Sequence, residues 1–445
     1  MSEKEYNRRR FLKDSSAIVG GLSLAGLGMP MEIMGQATSS EPKSLKLGFV
    51  GIGGRGSYHL DVALGMEGIE IPAICEIKED RLYRAKRWIE EAGLPSPRLY
   101  GNGPTDFRRL CEEEDLDAVI ICTSWKWHAP ICLAAMKNNK HAACEVPLVQ
   151  TLDEAWELVE TYESTGKWAS LVLGGFGDMT LLNMVRKQLL GDIIHVESGY
   201  VHDLRLVKFD PDEEPWRLQH SIDRNGNLYP DHPMRNMMPV LDINHGDRFD
   251  YLVSMSSKSV MLNRYAASMY GENHPYATKK MAQGDFNATL IRTVNGKLIT
   301  LNFDTHTPHP RESFRIQGTK GVYLKERDFS RIYLEARSPE EHHWEPADPY
   351  LKEFEHPLTK NYNPPPRKGG AIRGHGSNDA QTPINWHRLA EALRTDSIPD
   401  WDVYDSVTSS AISPLTEASV ADKSRPQDFP DFTKGKWKDR APLYS

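Results

Sequence analysis

Three things are scarce in this chain, and each scarcity narrows what it does. The apolar stretch at positions 15–31 falls short of the roughly 20 residues that a membrane-spanning helix needs. Cysteine is limited to five residues, at 75, 111, 122, 132 and 144. Most sit in apolar strand or helix contexts. They read as small buried hydrophobes rather than disulfide partners or ligands, and no metal is called for. Cations are outnumbered, 54 Lys and Arg against 62 Asp and Glu, for a net charge of −8. Without a basic patch, nucleic acid is excluded as a partner. No internal repeat is visible, which removes solenoids and propellers.

What is present is ordinary globular composition, 39% hydrophobic and 26% charged over 445 residues. That is enough for two or three domains with cores of their own. The one dense group of cations, Asn7-Arg8-Arg9-Arg10-Phe11-Leu12-Lys13, precedes the uncharged stretch 15–31 and then Gly35-Gln36-Ala37. This is the layout of a twin-arginine (Tat) export signal, matched at all but its preferred serine. Residues 1–37 are expected to be removed, with maturation near Thr38, giving a periplasmic protein without a membrane anchor. That route carries proteins already folded, which suits a chain that must first load a cofactor.

From residue 45 the pattern alternates strand, turn and helix. Apolar strands fall at 45–50, 69–76, 118–123, 142–145 and 169–173, and helices at 57–66, 81–92, 129–138 and 152–165. This predicts an α/β, Rossmann-type, doubly wound parallel sheet over 45–173. The rhythm then changes. A helix at 179–190 is followed by extended segments at 193–201, 286–294, 297–304, 313–317 and 332–335, with Asn295-Gly296 as a hairpin turn. Residues 174–380 are expected to form an α+β substrate-binding domain on a large, open, mainly antiparallel sheet covering the first domain's ligand face. A Pro-, Gly- and Arg-rich loop at 362–376 leads into the region 381–445. Its helices, at 384–394 and 403–421, are expected to pack back on the body.

Gly51-Ile52-Gly53-Gly54-Arg55-Gly56 lies directly between the first strand and its helix. Glycines allow the tight turn and let backbone N–H groups approach a pyrophosphate at a helix N-terminus. Glu76 follows twenty residues after Gly56, at the end of the second strand, where a carboxylate accepts from ribose hydroxyls and repels a 2′-phosphate. A bound NAD is therefore expected, rather than NADP. Two further segments reach the same crevice by topology. Thr123-Ser124-Trp125-Lys126-Trp127-His128 places aromatics where they flank a nicotinamide or a sugar, and Glu145-Val146-Pro147 ends the next strand.

At these residues the chain resembles the Gfo/Idh/MocA oxidoreductases over essentially its whole mature length, and most of all their NAD-dependent glycoside hydrolase family 109 branch, the α-N-acetylgalactosaminidases. The resemblance rests on Gly53-Gly54-Arg55-Gly56, Trp125-x-Trp127-His128, Glu145-Val146 and Leu182-Asn183-Met184-Val185-Arg186-Lys187. It continues through Gly199-Tyr200-Val201-His202-Asp203-Leu204-Arg205, Trp216-Arg217, Asn225-Gly226-Asn227-Leu228-Tyr229-Pro230-x-His232 and Asp242-Ile243-Asn244. Ordinary dehydrogenases of this family carry Glu-Lys-Pro, whose Lys helps deprotonate the substrate hydroxyl. Here Val146 stands in its place, as in the glycosidase branch. His232 becomes the candidate base, because an imidazole takes a hydroxyl proton near neutral pH. Glu145 and Tyr229 complete the candidate catalytic set, and Tyr200, Arg217 and Tyr229 are expected to bind sugar hydroxyls.

The departures point the other way. The glycosidase branch has Glu-Asn-x-Cys-Tyr before the Leu-Asn-Met-Val-Arg helix, and its tyrosine is assigned to the sugar C2 proton. This chain has Leu171 and Gly174 at the Asn and Tyr places, and a bulky aromatic of the 304–312 loop gives way to Arg311. Asp231 replaces a Thr, and His245 an Arg. A glycoside 3-dehydrogenase is therefore expected, with a glycoside or disaccharide substrate. A second keto-sugar or an electron acceptor would reoxidise the bound cofactor. A redox-neutral glycosidase is the alternative, with Asp178, Asp231 or His245 as substitute base. A non-catalytic binding protein is disfavoured by the retention of Glu145, Tyr229 and His232. A homo-oligomer is expected.

Overall fold

The computed structural model describes residues 43–172, 178–210, 216–311, 313–327, 329–360 and 381–444. The expected export signal, Gly174 and the 362–376 loop lie outside the described residues.

The first sheet comprises β1 (Leu45–Val50), β2 (Ile69–Cys75), β3 (Arg98–Tyr100), β4 (Ala118–Ile121), β5 (His141–Cys144) and β6 (Ala169–Leu171). All pairings are parallel, in the order β3-β2-β1-β4-β5-β6. β1 reads Leu-Lys-Leu-Gly-Phe-Val because helices cover both faces of a parallel sheet, and Leu45, Leu47 and Phe49 are buried. The strand order reverses between β1 and β4, which opens a crevice at their carboxyl ends. The expected doubly wound sheet is present, with the edge strand β3 in addition to the five strands expected, and with Val172 already beyond the end of β6.

The second sheet has nine strands: β7 (Ile193–Val201), β8 (Phe249–Ser256), β9 (Asn287–Thr293), β10 (Leu298–Asp304), β11 (Ser313–Gly318), β12 (Gly321–Glu326), β13 (Phe329–Leu334), β14 (Glu345–Pro346) and β15 (Gln427–Asp428). Their order is β14-β13-β12-β11-β7-β10-β9-β8-β15, antiparallel except for the central β7–β10 pair. The Asn295-Gly296 hairpin joins β9 to β10 as expected, with Gly296 at φ +87°. β8 and β12 escaped the sequence reading; in β8 the polar Ser254 is buried while Met255 next to it is exposed, which inverts the usual apolar-in, polar-out pattern.

Two late helices close the molecule. Gln381–Thr395 packs Trp386, Leu389 and Leu393 into the cluster that holds Leu45, Ile52 and Tyr58 of the first sheet's layer. Val403–Ala421 is almost wholly buried although rich in serine. Its hydroxyls accept backbone N–H groups from three segments: Ser410 from Leu148 at 2.9 Å, Ser406 from Leu171 at 3.2 Å and Thr416 from Asn227 at 2.9 Å. A polar helix is buried here because these three hydroxyls satisfy donors that burial would orphan. All five cysteines are free and buried, as expected, and burial pushes the Cys75 and Cys111 thiols up to about 12.

Candidate active site

A cleft of about 890 Å³ runs from the carboxyl ends of β1, β2 and β4 to the inner face of the second sheet. Every cofactor-site residue expected from sequence lines it: Gly51, Gly53, Gly54, Arg55, Glu76, Trp125, Trp127, His128, Glu145 and Val146, with Gly56 just beneath. Tyr200, Arg217, Tyr229 and His232 line it as well.

The glycine turn has the shape a pyrophosphate requires. Gly51 holds φ +87°, and a Cβ there would stand 2.6 Å from the Cys122 carbonyl oxygen. A Cβ at Gly56 would stand 1.9 Å from the Gly51 carbonyl oxygen, so only hydrogen fits where helix and turn touch. The helix Gly54–Leu64 then starts with no side-chain cap, leaving its first N–H groups to the cleft. The Glu76 carboxylate is buried at the end of β2. It accepts from the Ile52 N–H at 2.7 Å and the Lys78 N–H at 2.9 Å, which fixes it beside the turn. These residues fit a dinucleotide.

Glu145 sits differently from the catalytic role expected of it. Its Oε1 accepts from Arg55 Nε at 2.8 Å and from His59 Nε2 at 2.7 Å, and Arg55 Nη2 lies 2.6 Å away. Trp386 donates its indole N–H to His59 Nδ1 at 3.0 Å. That bond makes Nδ1 the acceptor, leaving the proton on Nε2 to point at Glu145. Burial would raise the Glu145 carboxyl. The Arg55 charge and the bonds from His59 and Arg55 outweigh burial and hold it well below the usual carboxylate range. Glu145 is thus a fixed anion that positions Arg55, not a proton carrier.

His128 is likewise corrected. Its ring nitrogens face the Pro147 and Thr123 carbonyl oxygens at 2.7 and 3.0 Å, and the neutral ring donates its one N–H to one of them, so it braces the crevice loops rather than presenting a nitrogen to ligand. The two tryptophans part company. Trp127 packs on Phe107, while Trp125 stacks on His220 at 4.6 Å and meets Trp216 and Tyr229 edge-on.

The substrate end is an aromatic stack. The rings of Tyr200 and Tyr229 lie 4.4 Å apart, and His232 lies 4.7 Å from Tyr200. Arg217 covers Trp216 at 4.4 Å and Tyr229 at 5.5 Å. His232 is the second residue of the helix Asp231–Leu241, which also turns Arg235 and Asn236 into the cleft at the helical spacings of three and four. Burial, followed by the Arg235 charge, pushes the His232 imidazole well below 6.5, so it is neutral and able to accept a proton. Asn236 Oδ1 is buried without a hydrogen-bond partner. Sequence reasoning missed Arg235 and Asn236 because it recognised no helix after His232; extending one from Asp231 would have found them.

The substitute bases fare unequally. Asp231 faces away from the cleft and accepts from the Ser409 and Ser410 hydroxyls at 2.7 and 2.8 Å; burial raises it to about 6. His245 is buried elsewhere, bonded to the Ala441 carbonyl and facing Asp405. Only Asp178 lines the cleft. It caps the helix Met179–Arg186 through the Leu181 N–H and pairs with Lys325 at 3.3 Å.

Sheet order, glycine turn and strand-end carboxylate together define a dinucleotide-binding protein of the Rossmann class. Residues 45–172 match the oxidoreductase family with an NAD-binding Rossmann fold, and residues 177–439 match the glycosyl hydrolase 109 C-terminal domain. A glycosyl hydrolase family 109 protein of Solibacter usitatus is 37% identical, with 98% of this chain and 99% of that one aligned. An α-N-acetylgalactosaminidase of Tannerella forsythia is 34% identical over 99% of this chain and 100% of its own. Within that class, the chain belongs to glycosyl hydrolase family 109. Solved structures agree on the fold. An oxidoreductase domain protein from Kribbella flavida superposes with a TM-score of 0.65 at 19% identity, over 87% of this chain and all of that one (100%). A levoglucosan dehydrogenase in complex with NADH and levoglucosan gives 0.62 at 19%, with the same coverage, 87% and 100%.

Proposed function

We propose that this protein is a periplasmic, glycoside-active oxidoreductase, exported with NAD bound, that oxidises C3 of a glycoside and releases the 3-keto-glycoside. One observation carries the reading. A neutral His232 stands in the cleft against Tyr200 and Tyr229, while Glu76, Glu145 and Asp178 are each engaged by other groups. The site thus offers a base for a hydroxyl proton and, among the described carboxylates of the inner cleft, no uncommitted one for a C–H proton.

NAD, when bound against Gly51, Gly53, Gly54, Gly56 and Glu76, supplies the hydride acceptor. A ring nitrogen of His232 takes the C3 hydroxyl proton as that carbon loses hydride. Asn236 Oδ1 accepts from a sugar hydroxyl that would satisfy its unmet bond, and Arg217 and Arg235 donate to others. The Tyr200–Tyr229 stack gives the pyranose an apolar face and keeps water off His232. Repeated turnover would call for a second keto-sugar or an electron acceptor to take up the hydride.

A redox-neutral glycosidase is the second reading. It is favoured by the family 109 match over 177–439 and by the named Tannerella forsythia relative. It requires a base for the C2 proton, with Asp178 the first to test. The two readings separate in one experiment. Purified protein is incubated with p-nitrophenyl glycosides and disaccharides in deuterated water. The dehydrogenase reading expects a 3-keto product, no prompt phenol and no C2 deuterium beyond uncatalysed exchange. Rapid C2 exchange with phenol release establishes the glycosidase instead.

A further inference from the structure

Beside the cleft lies a second depression of about 620 Å³ that no part of the reaction uses. It is built on the β12–β13–β14 edge of the second sheet. Lys325, Glu326 and Arg327 line both it and the cleft, so the two are continuous across the end of β12. Its distinctive lining is aromatic: Phe329 and Trp344 remain 45% and 41% exposed, where a chain would otherwise bury rings of that size. Arg331 lies 5.3 Å from the Phe329 ring centre, which holds that ring in place. Charge there is balanced, since Lys325, Arg327 and Arg331 are matched by as many carboxylates. Lys325 pairs with Asp178 at 3.3 Å, which joins this groove to the cleft.

We infer that this groove is an extension subsite for the aglycone side of a neutral oligosaccharide, with Trp344 and Phe329 as stacking platforms for the sugar units beyond the one held at His232. The inference rests on the glycoside reading above. Flat apolar rings pair with the C–H faces of pyranoses. The interleaved ammonium, guanidinium and carboxylate groups bond their hydroxyls. Balanced charge disfavours an acidic glycan.

The test compares methyl glucoside with cello- and malto-oligosaccharides of two to four units on the NAD-loaded protein, using tryptophan fluorescence for binding and nicotinamide absorbance for oxidation. Wild type is expected to bind the longer sugars more tightly than methyl glucoside, by roughly 3–10-fold for one ring contact. Trp344→Ala removes that gain and leaves methyl glucoside unchanged, while Trp344→Phe restores part of it. Equal affinity at every length, or a gain that survives in Trp344→Ala and Phe329→Ala alike, overturns the inference, as does a failure of every sugar to bind. Length-dependent binding that needs Trp344, without reduction of NAD by any glycoside, keeps the subsite and refutes the oxidoreductase reading. Reduction of NAD with no dependence on length does the reverse.

Discussion

Replacing Glu145 by Gln tests whether this residue anchors the site or moves protons. Its side chain is 9% exposed and that of Arg55 is 23% exposed, at 2.6 Å. The substitution keeps the shape and removes the charge, leaving the Arg55 cation part-buried with only an amide oxygen to receive it. Removing one partner of a buried pair costs about 3–5 kcal/mol. Because Arg55 keeps some access to water, the lower end, about 3 kcal/mol, is expected in urea unfolding. Arg55→Leu in the same protein removes the stranded cation, so the double variant should be more stable than the sum of the two singles by about 1–3 kcal/mol. NAD retention should fall in the Gln variant, because Arg55 lines the cofactor end of the cleft. A loss under about 1 kcal/mol with the oxidation rate abolished would refute the anchoring role and make Glu145 a proton carrier after all.

Four other outcomes follow from the same geometry. His232→Ala should lower glycoside oxidation about 10²–10⁴-fold with NAD still bound after gel filtration. In wild type the oxidation rate should show no histidine titration between about pH 6 and 8, because burial and Arg235 hold that ring well below 6.5. Glu76→Ala should weaken NAD by about 1.5–3 kcal/mol in a calorimetric titration and narrow the preference over NADP, since the carboxylate also fixes the Ile52 and Lys78 N–H groups. Lys208 is buried, donates to Ser221 and Thr305, and is brought down to about 7 by burial and then by Arg217. Above that pH the folded chain has released a proton that the unfolded chain still holds. Stability should therefore climb by up to about 1.4 kcal/mol per pH unit from about pH 7 toward 10, and Lys208→Met should flatten that slope in urea titrations.

The amino-acid sequence by itself determined the first sheet apart from its edge strand β3, and the dinucleotide turn. These are local signals. An apolar strand followed by glycines at fixed spacing, with a carboxylate one strand later, means the same thing wherever it occurs, because backbone geometry and a helix N-terminus do the binding. The substrate residues came from the family resemblance, and Tyr200, Tyr229 and His232 do meet in one stack. What only the tertiary structure decided is which polar groups remain uncommitted. Glu145, Asp231 and His245 are chemically eligible for catalysis by type. Their partners come from far away in the chain: Arg55 and His59 for Glu145, Ser409 and Ser410 for Asp231, Asp405 and Ala441 for His245. The burial of the serine-rich helix Val403–Ala421 was equally hidden, since its composition is that of a solvated helix until distant N–H groups reach its hydroxyls. A side chain's pKa and availability are set by what packs against it, and sequence spacing carries no record of contacts made with distant parts of the chain.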